Sequence, residues 1–248
     1  MSKIVYGINP VLEALKSSPH LIEQIWLHKQ TLSGRKYQIL EKAKKMNIPL
    51  KLISRNEFRP PKISPHINTQ GVVAYIKDFP YSSLEEIVEN WRKKKEIPLV
   101  VLLDEVEDPQ NVGSIIRSAD AGGVHGIVIS KRRSCEINET VIKVSCGSAF
   151  NLPIAKVNNL KDAISFFKEN NLWILGLTHK VETLIYQLDL KLPLAIIVGN
   201  EAKGIRTSIL EKCDFLAKIP MKGKIESLNV SVAAAVAIFE ILRQRYFS

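Results

Sequence analysis

The stretch PLVVLLDEVEDPQNVGSIIRSADAGG (98–123) joins an apolar run to a polar loop and then to a helical pattern. A continuous run of Val and Leu, without polar alternation, is typical of a strand that is buried on both faces of a parallel sheet. Similar short runs occur at 126–130, 172–178 and 194–199, and helical stretches separate them. The sequence therefore predicts an α/β fold in which helices cover both faces of a parallel sheet.

Polar segments follow three of the predicted strands. DEVEDPQN follows the first apolar run, GNEAKG follows the run that begins at residue 194, and MKGKIESLN follows the stretch FLAKIP. In open parallel sheets, ligands bind just outside the carboxyl ends of the strands. We expect these three loops to converge on one binding site.

The composition is that of a globular, basic chain of 248 residues, with 46% hydrophobic residues and a formal net charge of +10. No stretch approaches the roughly 20 apolar residues that a membrane span needs, and the first residues show no signal-peptide pattern. Cys135, Cys146 and Cys213 are too far apart for a zinc motif, and their odd number does not suit a disulfide framework. These features predict a cytoplasmic protein with no structural metal and no membrane partner.

The positive charge lies almost entirely in the first third of the chain. Residues 1–77 hold 13 Lys and Arg against 4 Asp and Glu, whereas residues 78–248 hold 22 against 21. Such asymmetry favours an accessory module that contacts nucleic acid, and a basic surface that only keeps the chain soluble is the alternative. The patterns predict a small basic α/β domain at 1–77, a linker at 78–97 and a larger domain at 98–248.

The familiar nucleotide-binding motifs are incomplete. GNEAKG (199–204) has the glycine spacing of a phosphate loop, but Ile205 and Arg206 stand where Lys and then Ser or Thr would follow. No G-x-G-x-x-G follows a predicted strand, and no Ser-His-Asp arrangement is evident. His125 and His179 are isolated, so we expect structural or surface roles for both. The sequence therefore argues against ATP binding and against a hydrolase.

Arg117 stands out on an otherwise apolar helical stretch. Asp108 and Asn111 have an ordinary explanation as turn and cap residues. We expect Arg117 to lie in the N-terminal turns of the helix, where the macrodipole disfavours a cation. An arginine in such a place fits the recognition of an anion, for example an RNA phosphate or a developing alkoxide.

Three motifs, in this order, resemble those of the SpoU family of RNA 2′-O-ribose methyltransferases, and within it the TrmH and RlmB group. They are Asp108-Pro-x-Asn111-x-Gly-x-x-x-Arg117, Gly199-Asn-Glu201-x-x-Gly204, and Ile219-Pro-Met followed by Ser227-Leu-Asn229-x-Ser-x-Ala. The basic N-terminal module, which ends in NTQGVVAYI, resembles the substrate-binding domain of the same group. The resemblance implies S-adenosylmethionine-dependent methylation of structured RNA. It also implies a homodimer whose catalytic SPOUT domain carries a deep trefoil knot.

Residue roles follow from the resemblance. The catalytic set is Arg117, Asn111, Glu201, Asn229 and Ser227. The cofactor set is Gly199, Ile219, Leu228, Asn200 and Met221, and no metal is implied. Arg117 is a poor general base because a guanidinium group stays protonated at neutral pH. We therefore expect it to clamp the target phosphate and stabilise the developing alkoxide. The proton acceptor is either a phosphate oxygen or Glu201.

The size of the N-terminal module narrows the choice of RNA substrate. Relatives that act on tRNA resemble this chain, but they usually carry only small helical extensions in place of a full module. A full α/β module favours ribosomal RNA and, by resemblance, a guanosine in the peptidyl-transferase P loop of 23S rRNA. The alternatives are ribose methylation of tRNA and a non-catalytic RNA-binding or ribosome-assembly protein. Loss of a motif residue would favour the latter, but all five catalytic candidates are present. No DNA partner is expected.

Overall fold

The computed structural model describes residues 3–29, 32, 34–54, 56–61, 63–64 and 66–247. The strands in this part of the chain are β1 (Lys3–Tyr6), β2 (Ile22–His28), β3 (Leu50–Ile53), β4 (Val72–Ile76), β5 (Leu99–Asp104), β6 (Gly126–Ser130), β7 (Ile154–Val157), β8 (Trp173–Leu177), β9 (Leu194–Gly199) and β10 (Phe215–Ala217). The α-helices are α1 (Ile8–Ser17), α2 (Arg35–Lys45), α3 (Leu84–Lys94), α4 (Pro109–Ala121), α5 (Glu139–Val144), α6 (Leu160–Glu169), α7 (Thr207–Leu210) and α8 (Val230–Tyr246).

The described residues form two compact units. The first comprises the chain up to Pro80 together with Ile137–Asn151. The second comprises Tyr81–Glu136 together with the chain from Leu152 onward. Each unit contains its own sheet.

The sheet of the first unit has four strands in the order β1-β4-β2-β3. β4 runs antiparallel to β1 and β2, whereas β2 and β3 are parallel. The amphipathic helices α1 and α2 pack on this sheet, and Val11, Leu15 and Ile39 are completely buried. The basic N-terminal region is therefore an α/β module.

The segment Ile137–Asn151 packs with the first unit, although the sequence placed it in the domain predicted at 98–248. α5 lies beside β1, with Lys143 Nζ 5.4 Å from the centre of the Tyr6 ring. At the end of the segment, Ser17 Oγ donates a 2.7 Å hydrogen bond to Asn151 Oδ1. The helical pattern of α5 predicts a helix but does not indicate which sheet the helix covers.

The sheet of the second unit confirms the predicted parallel arrangement. Its six strands are all parallel, in the order β10-β8-β9-β5-β6-β7. On one face, strand residues such as Val100 and Leu102 share a buried cluster with α3 and α6. On the other face, α8 contacts β9 and packs on α4. Helices thus cover both faces, which explains why β5 and β9 are apolar at nearly every position.

The predicted linker at 78–97 contains the helix α3, which belongs to the core of the second unit. Ser83 and Glu86 form a reciprocal capping box at its N-terminus. Ile87, Val88 and Trp91 enter the buried cluster because they recur on one side of the helix. The charged residues at 92–94, at the end of the helix, are exposed.

Three further properties concern the described residues only. None of their helices is long and apolar enough to cross a membrane. All three cysteines are free thiols, and burial raises the pKa of Cys213 to about 11. Among these residues, no group of three His, Cys, Asp or Glu side chains is arranged to hold a metal ion.

Candidate functional site

The second unit contains a cavity of about 350 Å³ at the carboxyl ends of β8, β9 and β10. Its lining includes seven of the ten residues that the sequence proposed: Gly199, Asn200, Glu201, Ile219, Met221, Ser227 and Leu228. Asn111, Arg117 and Asn229 are outside the lining. Two of the three predicted loops therefore meet directly at the cavity, and the first contributes through hydrogen bonds.

One wall of the cavity is the segment 199–205 that follows β9. A Cβ atom on Gly199 would lie 2.3 Å from the Gly204 carbonyl carbon and the Ile205 nitrogen, so the backbone passes too close for any other residue. Asn200 Oδ1 accepts hydrogen bonds from the backbone amides of Ala202, at 3.0 Å, and Lys203, at 3.2 Å. Residues 200–203 therefore form a turn that the Asn200 side chain stabilises by hydrogen bonds to the backbone.

A chain of hydrogen bonds joins the three motif loops. Asn111 Nδ2 donates to Glu201 Oε1 at 2.6 Å, and Asn229 Nδ2 donates to Asn111 Oδ1 at 2.9 Å. Asn229 Oδ1 accepts from the Ser231 amide at 2.9 Å, which makes it the N-cap of α8. Asn111 is buried in the third position of α4, and Asp108 is the N-cap of that helix. The structure therefore brings Glu201, Asn111 and Asn229 together.

The sequence proposes Ser227, like Asn229, as a cap or as a partner of the motif residues. Its exposed side chain lines the cavity. No hydrogen bond among the described residues joins it to Asn111, Arg117 or Glu201, and the capping role belongs to Asn229. Among the described residues, the structure therefore shows no hydrogen bond that supports the predicted partnership of Ser227 with those residues.

Arg117 lies elsewhere on α4 than the sequence suggested. The helix begins at Pro109, so Arg117 is its ninth residue of thirteen and lies beyond its middle. The macrodipole argument from the sequence is therefore wrong, since the dipole acts mainly within the first and last turns. The side chain is exposed, and within the described part of the chain it neither lines the cavity nor joins the hydrogen-bonded chain.

The sequence missed the wall that faces segment 199–205. Thr178, His179 and Lys180 follow β8 and line the cavity. His179 looks isolated in the sequence, although its position after an apolar run was a signal that the strand-end rule could have used. His125, by contrast, has the structural role that was expected. It is 2% exposed, and its Nδ1 accepts a 3.1 Å hydrogen bond from the Leu99 amide.

The sequence also missed a cluster of charged residues beside the cavity wall, made of Asp104, Glu105 and Arg206. From the sequence alone, Arg206 is only evidence that 199–204 is not a phosphate loop. In the structure it forms an ion pair with the buried Asp104 at the end of β5. A fully buried carboxylate is rare unless it is paired, so an Asp that ends an apolar strand was the available signal.

Comparisons with known proteins find similar sequences over nearly the whole chain. Two family models match, "SpoU rRNA Methylase family" at residues 98–239 and "RNA 2'-O ribose methyltransferase substrate binding" at residues 4–82. A Bacillus subtilis protein named as a TrmH family tRNA/rRNA methyltransferase, YacO, is 40% identical and is matched over 97% of this chain and 95% of its own. The 23S rRNA (guanosine-2'-O-)-methyltransferase RlmB of Pseudomonas aeruginosa is 38% identical over 97% and 96%.

Solved structures show the same architecture. The SpoU methyltransferase AviRb from Streptomyces viridochromogenes, in complex with the cofactor AdoMet, aligns with a TM-score of 0.82 and 25% identity over 100% of this chain and 92% of its own. An AdoMet-bound rRNA methyltransferase from Sinorhizobium meliloti aligns with a TM-score of 0.78 and 26% identity over 100% and 88%.

Proposed function

The chain belongs to the SpoU rRNA methylase family, and we propose that it transfers a methyl group from S-adenosylmethionine to a ribose 2′-hydroxyl of 23S rRNA. We propose a guanosine of the peptidyl-transferase P loop as the target. The observation that carries the proposal is the hydrogen-bonded chain Glu201–Asn111–Asn229 at the rim of a cavity formed by strand ends. The RlmB relatives, whose names specify 23S rRNA guanosine, support the substrate.

The cavity suits the proposed cofactor in size and chemistry. Its volume is within the range of small-molecule sites. Ile219, Met221 and Leu228 supply apolar contacts for an adenine ring and a methionine chain, and the backbone of 199–204 supplies polar groups. When bound, S-adenosylmethionine supplies an electrophilic sulfonium methyl group.

The residues of this chain contribute by positioning and electrostatics. Asn111 donates to the Glu201 carboxylate and thereby fixes its direction at the cavity wall, while Asn229 holds Asn111. Glu201 is then placed to orient the ribose hydroxyl or to accept its proton, and a phosphate oxygen of the substrate is the other acceptor. Arg117, exposed on α4, clamps the target phosphate and stabilises the developing alkoxide.

RNA affinity is assigned to the first unit. It carries most of the positive excess of the chain, and its helix α2 presents Arg35, Lys36, Lys42, Lys44 and Lys45 against one acidic residue. The match to the substrate-binding family model over residues 4–82 supports this assignment. Because phosphate contacts release counterions, binding should weaken steeply with salt.

The working form that we propose is a cytoplasmic homodimer with a trefoil knot in the second unit. α8 presents an apolar stripe that includes Val232, Phe239 and Tyr246, which are 46%, 47% and 59% exposed. These residues lie on one side of the helix, and a second copy of the chain would bury them. The knot is proposed from the family resemblance.

The test is to map 2′-O-methylation in 23S rRNA from cells that lack the gene, before and after restoring it. We expect one guanosine of the P loop to lose its methyl group and regain it. The purified protein should methylate the corresponding rRNA fragment, and Glu201→Gln should reduce the rate. Methylation of tRNA alone would replace the proposed substrate. Cofactor-independent RNA binding, with no methylation of either RNA, would support the non-catalytic alternative.

A further inference from the structure

Asp104 is a completely buried carboxylate that takes no part in lining the cavity. Its exposed fraction is 0%, and it ends β5 directly beside Gly199, the last residue of β9. Asp104 Oδ2 accepts a 2.9 Å hydrogen bond from the Arg206 amide, and its Oδ1 accepts from Arg206 Nε at 2.9 Å and Nη2 at 2.6 Å. A buried charge is tolerated because Arg206 satisfies it with three donors.

These contacts fasten both ends of the cavity wall to one strand. The wall, segment 199–205, starts at Gly199, which pairs with Asp104 in the sheet. It ends just before Arg206, whose backbone and side chain are both held by Asp104. Between these ends, Asn200 Nδ2 donates a 3.0 Å hydrogen bond to the carbonyl of the residue that follows Asp104.

Glu105 strengthens the same attachment. Its side chain lies 3.4 Å from Arg206 Nη1 and 3.6 Å from Arg133 Nη1, so Arg206 stands between two carboxylates. Its backbone is left-handed, with φ 57°, a conformation that β-strand continuation would not use. β5 therefore turns sharply at Glu105, which presents its carbonyl to Asn200 and its carboxylate to Arg206.

We propose that Asp104 and Arg206 are positioning residues, which hold segment 199–205 in the shape that binds the cofactor before the cofactor arrives. That the ligand is S-adenosylmethionine rests on the proposed function. The effect of the pair on the conformation of segment 199–205 does not depend on it. If the pair is lost, the segment samples other shapes, and the apparent affinity falls in proportion to the fraction that stays competent. A pair that only stabilises the fold would lower the melting temperature without this selective effect.

The test compares Asp104→Asn with Asp214→Asn as a matched control. Asp214 Oδ1 accepts from Lys168 Nζ at 2.6 Å and its Oδ2 accepts from the Ile174 amide at 2.8 Å, at the other end of the strands. Both changes thus remove a charge from a carboxylate that holds one cation and one backbone amide. Melting temperature, amide hydrogen exchange in the free protein and S-adenosylmethionine affinity by calorimetry are measured on each.

We expect Asp104→Asn to speed exchange at the amides of Ala202, Lys203 and Gly204 at least tenfold and to weaken cofactor binding at least tenfold. Asp214→Asn should leave both within twofold. If Asp104→Asn does not fold, Arg206→Lys takes its place, with a smaller change of the same kind because the backbone amide still donates to Asp104.

Exchange or affinity within twofold of wild type in a folded Asp104→Asn protein would overturn the proposal. A wild-type protein that binds no S-adenosylmethionine would count against the proposed function instead. In that case the exchange rates alone decide whether the pair holds the segment.

Discussion

Replacing Asn229 by Asp separates two contributions of one side chain. Asn229 Oδ1 caps α8 through the Ser231 amide, and its Nδ2 donates to Asn111 Oδ1 at 2.9 Å. An Asp keeps the cap, and its negative charge suits a helix N-terminus, but it has no hydrogen to donate to Asn111. We therefore expect Asn229→Asp to keep the fold and to lose most of the activity.

The expected loss follows from the geometry of the chain of hydrogen bonds. The donor that disappears contributes about 1 kcal/mol, and a carboxylate oxygen then faces the Asn111 carbonyl oxygen where an N–H stood. Asn111 also holds Glu201 at 2.6 Å, so it cannot turn towards the new Asp without releasing Glu201. A combined loss of about 2 to 3 kcal/mol in the transition state corresponds to methyl transfer that is about 30 to 150 times slower.

The assay is single-turnover methylation with saturating cofactor, together with the melting temperature. Because the cap remains, Asn229→Asp should stay folded, and a loss of about 3 kcal/mol would lower its melting temperature by no more than about 12 °C. Asn159→Asp is the control, since Asn159 also caps a helix and its Nδ2 donates to Asp162 at 3.0 Å, on the surface. It should methylate at the wild-type rate. Asn229→Asp protein that methylates within about threefold of wild type would refute the reasoning.

Four further predictions concern separate parts of the chain. Arg117→Ala should slow single-turnover methylation about a hundredfold at an unchanged melting temperature, because the side chain is exposed; Arg117→Lys should recover little. Phe239→Lys should shift the protein towards monomer in sedimentation, since it places a charge in the apolar stripe of α8. Replacing both Lys42 and Lys44 by Ala should reduce the salt dependence of RNA binding, which filter retention measures. Burial lowers the pKa of His125, so stability should fall as the pH drops below about 6.5, and His125→Asn should flatten that dependence in thermal melts.

Several features of the molecule were predictable because they depend on local pattern. The apolar runs predicted β5, β6, β8 and β9, since a strand buried on both faces has no polar alternation. The rule that ligands bind at the carboxyl ends of parallel strands predicted that the loops after β9 and β10 meet, and both line one cavity. Gly199, Ile219 and Leu228, which the family resemblance assigned to the cofactor, are among its lining residues.

Other features depend on contacts between distant segments, which the pattern of one segment does not reveal. The wall at 178–180 lies at the cavity because β8 is placed between β9 and β10, and sequence order alone does not give β10 as its neighbour. The packing of Ile137–Asn151 on the first unit likewise depends on contacts with distant segments of the chain. The error over Arg117 was local, because the helix starts at Pro109 and Arg117 therefore lies beyond its middle.

The strand register explains why the motif residues form one chain of hydrogen bonds although more than 100 positions separate Asn111 from Asn229. Asp104 pairs with Gly199, so β5 and β9 end level and the loops that follow them leave the sheet side by side. Asn111 on α4 can therefore reach Glu201, two residues beyond Gly199. α8 packs against α4, which brings its N-cap to the other side of Asn111. Among the side chains that favour the N-cap position, only Asn has a fixed acceptor for the helix and a separate amide donor for a partner. Because Asn111 holds both Glu201 and Asn229, displacement of α4 breaks both hydrogen bonds, whereas displacement of either partner breaks one.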